Sequence, residues 1–294
     1  MLITYGSSSE ALARAVANQC NATLVRSKRR LFPDGEQYVQ VSGDLYGEDV
    51  VLIHSFALNP DPLLVEYLLL ADAIRSAGCR SLTVVIPYLA YLRQDSRFKP
   101  GEPLSAKVIA SLIESPRIDR LITIDAHLHR FRSLSDLFIA PSLNLSAMPL
   151  LADYYLKNFG NLETVVVGPD AESEQWAKVV AEHLSSPYII MEKERLGDRE
   201  VTIRGGVPVK GKNVVIVDDI VSTGATLVKL MEALLGEGAG NVDALVTHAL
   251  LVEDSYQKLT QAGLRNLIST DTVPTRHSKV SVAPLISKAL QGLS

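Results

Sequence analysis

Residues Val214 to Leu227 read VVIVDDIVSTGATL, and they constrain the fold more than any other stretch. Val214 to Val217 are all β-branched, the pattern of a strand buried on both faces inside a parallel sheet. Two carboxylates, Asp218 and Asp219, end that strand, and the small residues Ser222, Thr223, Gly224, Ala225 and Thr226 follow before a helix over Leu227 to Leu235. Strand, tight turn and helix in this order require a parallel α/β architecture. Adjacent acids at a strand's C-terminal end are costly unless something binds there. The turn amides and the helix N-terminus suit a phosphate, and the acids can accept hydrogen bonds from sugar hydroxyls. A site for a phosphorylated sugar is expected at this turn.

The chain also repeats itself. Leu2 to Ala17 (LITYGSSSEALARAVA) parallels Val166 to Ala181 (VVGPDAESEQWAKVVA), Val50 to Phe56 (VVLIHSF) parallels VVIVDDI, and Ser81 to Ile86 parallels Val242 to His248. The offset is about 163 residues each time, as two copies of one α/β unit would give. Where the second copy has Asp218 and Asp219, the first has His54 and Ser55. In place of STGAT the first has Ala57 to Pro62, whose prolines remove backbone donors. The first copy is therefore read as scaffold, subunit interface and part of a second substrate's pocket. The small and turn residues of Pro141 to Pro149 mark the boundary, giving domains 1–145 and 146–294.

Composition narrows the class. A chain of 294 residues with 47% hydrophobic and 21% charged residues has ample core for two such domains. A net charge of −4 without a long basic run excludes a nucleic-acid surface. The most apolar helical stretch, Leu63 to Ile74, contains Glu66 and Asp72, so no membrane span is expected. Cys20 and Cys79 have no metal-ligand spacing, and MLITYGSSSE starts as a strand, so a cytoplasmic protein with reduced thiols is expected.

Five further stretches carry polar chemistry. Phe32-Pro33-Asp34-Gly35-Glu36 makes a turn that presents an aromatic face beside two carboxylates, or a plain solvated turn. Arg93, Gln94, Asp95, Arg97 and Lys99 crowd a loop beyond a parallel strand, placed for a polyphosphate or for mutual salt bridging. Asp125-x-His127, with His129 on the same side of a continued extension, is read as structural or as an imidazole oriented for a divalent cation. Asp170 is another acid at a strand end, followed by Glu172 and Glu174. Met191 to Arg204 reads as a β-hairpin or flap, with Lys193 and Arg195 as its cations and Gly197 and Asp198 at its tip; alone, its charges read as a solvated edge. The P-loop and protein-kinase motifs are absent, so any nucleotide is bound by other means.

The central stretch resembles the phosphoribosyl-diphosphate (PRPP) motif of the type I phosphoribosyltransferase fold, and with the five others, in order, the chain resembles a PRPP synthetase along essentially its whole length. STDTVP (Ser269 to Pro274) resembles a further signature of that family. The resemblance implies two tandem type I phosphoribosyltransferase-like α/β domains with mainly parallel sheets. It implies transfer of a diphosphoryl group from Mg-ATP to ribose 5-phosphate in a homo-oligomer, with the ATP site at a subunit interface. Residue by residue, it assigns ATP contacts to Phe32, Asp34, Glu36, Arg93 and Gln94, and Mg²⁺ to His127 and Asp170. Catalytic roles fall on Lys193 and Arg195; ribose 5-phosphate falls to Asp218, Asp219 and Ser222 to Thr226. Ser222 and Ala225 stand where many bacterial members have Asp and Gly; the backbone donors survive both changes. GPDAESEQW looks more like the shorter archaeal-type enzymes, which puts bacterial-style allostery and hexameric assembly in question. The competing readings are a nucleobase phosphoribosyltransferase, which needs no ATP loop, and a non-catalytic regulatory homologue, against which the retained Lys193, Arg195, His127, Asp218 and Asp219 argue.

Overall fold

The computed structural model describes residues 1–160, 163–192, 202–204 and 208–292. The chain divides after Leu145 into two units, Met1–Leu145 with the closing stretch from Ser281, and Ser146–Val280.

In the first unit the elements run β1 (Leu2–Tyr5), α1 (Glu10–Cys20), β2 (Thr23–Leu24), β3 (Ser27–Leu31), β4 (Gln37–Val41), β5 (Asp49–Ile53), α2 (Pro60–Ser76), β6 (Ser81–Ile86), α3 (Ser105–Glu114), β7 (Arg120–Ile124) and β8 (Ser142–Leu145). Six of these strands form one sheet in the order β2-β1-β5-β6-β7-β8, parallel throughout. The remaining two, β3 and β4, form a separate antiparallel ribbon.

The second unit runs α4 (Met148–Phe159), β9 (Thr164–Gly168), α5 (Glu174–Leu184), β10 (Tyr188–Glu192), β11 (Thr202–Arg204), β12 (Asn213–Val221), α6 (Ala225–Gly236), β13 (Asn241–Ala249), α7 (Ser255–Gln261), β14 (Leu264–Thr270) and β15 (Ser278–Val280). Its sheet order is β11-β10-β9-β12-β13-β14-β15. Apart from β11, which is antiparallel to β10, this is the first unit's order over again. The repeat read from the sequence is thus a repeat of topology.

Period-2 alternation explains why the strands are apolar along their whole length. Val165, Val167, Val214, Ile216, Ala244 and Val246 face one core with Leu227, Leu230, Met231 and Leu234 of α6 and Leu259 of α7. Their neighbours Val166, Val215, Val217 and Leu245 face another core, filled by Leu151 and Tyr155 of α4 and Trp176, Val180 and Leu184 of α5. Each such side chain stabilises by roughly 1.5–3 kcal/mol on full burial. A polar substitution at either set would strand a polar group in a dry layer.

The closing helix α8 (Ala283–Gln291) corrects the expected second domain of 146–294. It belongs to the first unit, where it packs on α1. Ala283, Ile286 and Leu290 recur at helical spacing and are buried, so the helix has one apolar stripe to cover. In the second unit α4 packs on α5 as α8 packs on α1, so each repeat's closing helix serves the other repeat's unit. Among the described residues no helix is long and apolar enough to cross a membrane.

Candidate active site

In the second unit the strand carrying the acid pair is longer than its apolar run. β12 continues through Asp218 and Asp219 to Val221, because β13 runs alongside and pairs Asp218 with Val246 and Ile220 with His248. Asp219 is buried and Asp218 half-buried. The Asp219 N–H donates to the Asp218 carboxylate at 3.0 Å. Burial pushes the Asp218 carboxyl well above its usual range, and the charges of Asp219 and then Asp170 push it the same way. Three carboxylates whose charges oppose one another suit a hard cation, for which oxygen ligands are preferred, and donors from a sugar.

The turn after β12 depends on Gly224, whose φ of +75° lies in the left-handed region. A Cβ there would also stand 3.2 Å from the Leu259 side chain. Gly224 occupies the N-cap of α6 and brings no side chain to satisfy the first helical amides. The helix begins at Ala225, two residues before the expected start, which puts Ala225 and Thr226 in its first turn. Ser222 is half-buried, whereas Thr223, Ala225 and Thr226 are exposed. A phosphate at this turn would meet amides and the positive end of a twelve-residue helix.

Asp170 is held differently. It caps a one-turn 3-10 helix (Ala171–Ser173), its carboxylate accepting from the Ser173 N–H at 3.0 Å while the Ser173 Oγ accepts from the Asp170 N–H at 3.2 Å. The local sequence pattern behind that reciprocal cap is Asp-x-x-Ser. The cap fixes the carboxylate beside the end of β9.

In the first unit, Phe32 to Glu36 form the tip of the β3–β4 ribbon. The Phe32 N–H donates to the Glu36 carbonyl at 2.8 Å, and the Glu36 N–H to the Asp34 carboxylate at 3.1 Å. Gly35 has φ +95°. Sequence reasoning missed Arg30, whose guanidinium lies 4.4 Å from the Phe32 ring centre and 4.5 Å from that of Tyr38. One cation thus steadies two aromatic rings, a contact that sequence adjacency alone does not reveal because it needs the two strands in register.

Arg93 is exposed, and the Gln94 side-chain oxygen accepts from the Ser105 hydroxyl at the start of α3. The buried Asp95 accepts from Arg130 at 2.7 Å, which ties the cation-rich loop to the segment after β7. That segment does not stay extended: Asp125 turns to φ +38°. His127 and His129 end on the same side by stacking, ring centres 3.5 Å apart. At the ends of the stretch expected as a hairpin, Met191 to Arg204, β10 and β11 pair antiparallel from Ile190↔Arg204 to Glu192↔Thr202. Lys193 and Arg195, with Gly197 and Asp198, lie outside the described residues.

Comparison with known proteins also gives two stretches, the second beginning within the first unit. Residues 1–116 match the N-terminal domain of ribose phosphate pyrophosphokinase, and residues 133–261 match the phosphoribosyl transferase domain. A ribose-phosphate pyrophosphokinase of Methanopyrus kandleri is 39% identical over 295 residues, covering 100% of both chains. One from Methanothermobacter thermautotrophicus is 36% identical, covering 97% of this chain and 98% of its own. The crystal structure of phosphoribosylpyrophosphate synthetase from Mycobacterium smegmatis superposes with a TM-score of 0.89 at 27% identity, over 99% of this chain and 98% of that one.

Proposed function

The chain belongs to the ribose-phosphate pyrophosphokinase family, and from that premise we propose that it makes PRPP from ATP and ribose 5-phosphate, with AMP as the second product. The observation that carries the reading is the acid pair Asp218–Asp219 followed by the Gly224 turn at the start of α6, a sugar site joined to a phosphate site.

The amides and hydroxyls of Ser222 to Thr226 hold the 5-phosphate, while Asp218 and Asp219 accept from the ribose hydroxyls and orient the ring. The 1-hydroxyl oxygen attacks the β-phosphorus of ATP. The bond from that phosphorus to the α–β bridging oxygen breaks, AMP leaves with the electron pair, and the hydroxyl proton passes to solvent. Positioning of this kind supplies much of the rate. Charge building on the transferred group and on AMP is met by Lys193 and Arg195, and by Arg93 and Gln94 toward the phosphates. Mg²⁺ supplies charge neutralisation when bound; His127 and Asp170 are assigned to hold it, and the crowded acids beside Asp170 fit such an ion. Adenine rests against Phe32, with Asp34 and Glu36 beside it. The ribbon tip comes from a neighbouring subunit, so the active species is a homo-oligomer. The reaction is assigned to the cytoplasm.

An assay for AMP with ATP, Mg²⁺ and ribose 5-phosphate, omitting each in turn, tests this. AMP and PRPP formed in equal amounts only when all three are present is the expected result. No AMP, but pyrophosphate released from added PRPP and a nucleobase, would replace it with a phosphoribosyltransferase. Ribose 5-phosphate binding without turnover would replace it with a regulatory homologue.

A further inference from the structure

Glu66 lies on α2 with 1% of its surface exposed, amid a helix whose other buried side chains are Leu63, Leu64, Tyr67, Leu70, Ala71 and Ile74. A carboxylate at such a position is strongly disfavoured unless it is fully partnered. Its partners come from three places, one of them His54 after β5, whose Nε2 lies 3.9 Å from Glu66 Oε2. From the turn after β1, the Ser7 N–H and the Ser7 hydroxyl each donate to it at 2.6 Å. From the β3–β4 ribbon, Arg29 Nε approaches Glu66 Oε2 to 3.3 Å. Arg29 Nε also donates to Gln37 Oε1 at 2.7 Å, and Gln37 Nε2 donates to the Pro62 carbonyl in the first turn of α2 at 2.7 Å. The ribbon therefore grips α2 at two points, one on each of its strands.

The ribbon is otherwise held by the packing of β4 on α2 and by the Ser27 hydroxyl, which donates to the Tyr5 carbonyl. It belongs to neither large sheet, and four of the five β3 residues are exposed. A two-stranded ribbon alone is marginally stable in water. Its direction is set by side-chain bonds from Arg29 at the middle of β3 and from Gln37, which adjoins the Phe32 to Glu36 turn.

We propose that Glu66 is a positioning residue for the nucleotide. By holding Arg29 and the Ser7 turn together, it sets the angle at which the Phe32–Glu36 turn is presented to ATP. This rests on the reading that the turn meets ATP.

The test compares Glu66→Gln and Arg29→Gln with the unaltered enzyme, by steady-state kinetics and by amide hydrogen exchange. Both variants are expected to raise KM for ATP about tenfold, within the range that a roughly 1 Å misplacement produces, with KM for ribose 5-phosphate within about twofold. Amides of residues 27–41 should exchange faster in both, while those of α3 keep their protection. Arg29→Lys should restore part of the ATP affinity by returning the charge without the planar fork. Unchanged exchange in the ribbon, or equal rises in both KM values, would overturn the proposal. If Glu66→Gln does not fold, Arg29→Gln carries the test, since the Arg29 side chain keeps 29% of its surface exposed where that of Glu66 keeps 1%. Phe32→Ala, measured alongside, separates the two ideas. A normal KM for ATP in that variant would remove the turn from the nucleotide site and the proposal with it. A raised KM there with unaltered ribbon exchange in Glu66→Gln would leave the turn in place and sink Glu66 alone.

Discussion

The two units share a strand order and differ in what stands at the carboxyl ends of their central strands. Strand register makes the correspondence plain: β1 pairs Leu2 with Val50 as β9 pairs Val165 with Val214. Ser7 then stands where Asp170 stands, and His54 and Ser55 where Asp218 and Asp219 stand. The first unit has satisfied its groups internally. Burial pushes the His54 imidazole down in pKa, and with its Nε2–H donating to the Leu63 carbonyl at 3.0 Å it turns Nδ1 toward the Ser8 hydroxyl, also at 3.0 Å. The Ser55 N–H donates to the Ser9 hydroxyl at 2.9 Å. The second unit leaves three acids crowding one another beside an uncapped helix start. One topology thus places a histidine and serines that bond one another in the first unit, and carboxylates that crowd one another in the second.

The difference is broken most severely at the acids. Asp219→Asn should lower kcat by about 100-fold or more, the scale of losing one strong transition-state contact, whereas Ser55→Ala at the matching place should change it less than about threefold. Equal losses in the AMP assay would mean the first unit keeps a share of the chemistry. The two antiparallel pieces, each following the second strand of its repeat, should separate just as cleanly. Lys193→Ala should cut kcat by roughly two orders of magnitude with KM for ATP little moved, and Phe32→Ala should raise KM for ATP about tenfold. Near-normal turnover of Lys193→Ala would remove that lysine from the mechanism.

Stability should distinguish the units as well. A Cβ on Gly6 would fall 1.9 Å from His54 Nδ1, inside a packed polar cluster, so Gly6→Ala should cost about 3 kcal/mol in urea unfolding. Gly168→Ala meets the ends of Ser173 and Ile190 side chains at 2.4 and 2.6 Å and should cost about half as much. If the two are equal, the first unit's cluster is looser than its hydrogen bonds indicate.

The smallest effect is in the pH dependence of stability. The folded Asp218 carboxyl keeps its proton to higher pH than the unfolded one, whose ordinary value is 3.8. Its contribution is full below that value and is lost as pH rises through the folded pKa. Asp218→Asn, which stays neutral, should therefore raise Tm near pH 7 by about 3 °C, the shift that roughly 1 kcal/mol gives in a unit this size. The gain should vanish as pH falls into the carboxylate range. A gain that persists at low pH would mean charge is not the cause.

Much of this was legible in residue order, because strand burial, turn chemistry and helix caps are local. VVIVDD announces a doubly covered strand ending in acids, and Gly224 is the residue a left-handed turn demands. The extra length of β12 was not legible, since the partner β13 decides it, nor was the stacking of His127 on His129, since Asp125 leaves the extended region.

By itself the sequence determined the repeat, the parallel α/β class and the position of the small-residue turn after β12, all consequences of period and of small-residue spacing along the chain. Only the tertiary structure decided what each isolated charge is for. Glu66 reads as a flaw in an apolar helix until Ser7 and Arg29 are brought to it from 59 residues away and from a ribbon outside the main sheet. Arg130 finds Asp95 across a gap of 35 residues, and α8 finds α1 from the opposite end of the chain. The physical reason is the same in each case. A buried charge or an apolar helix stripe specifies that it must be partnered, while the partner is chosen by which residues the fold brings within reach.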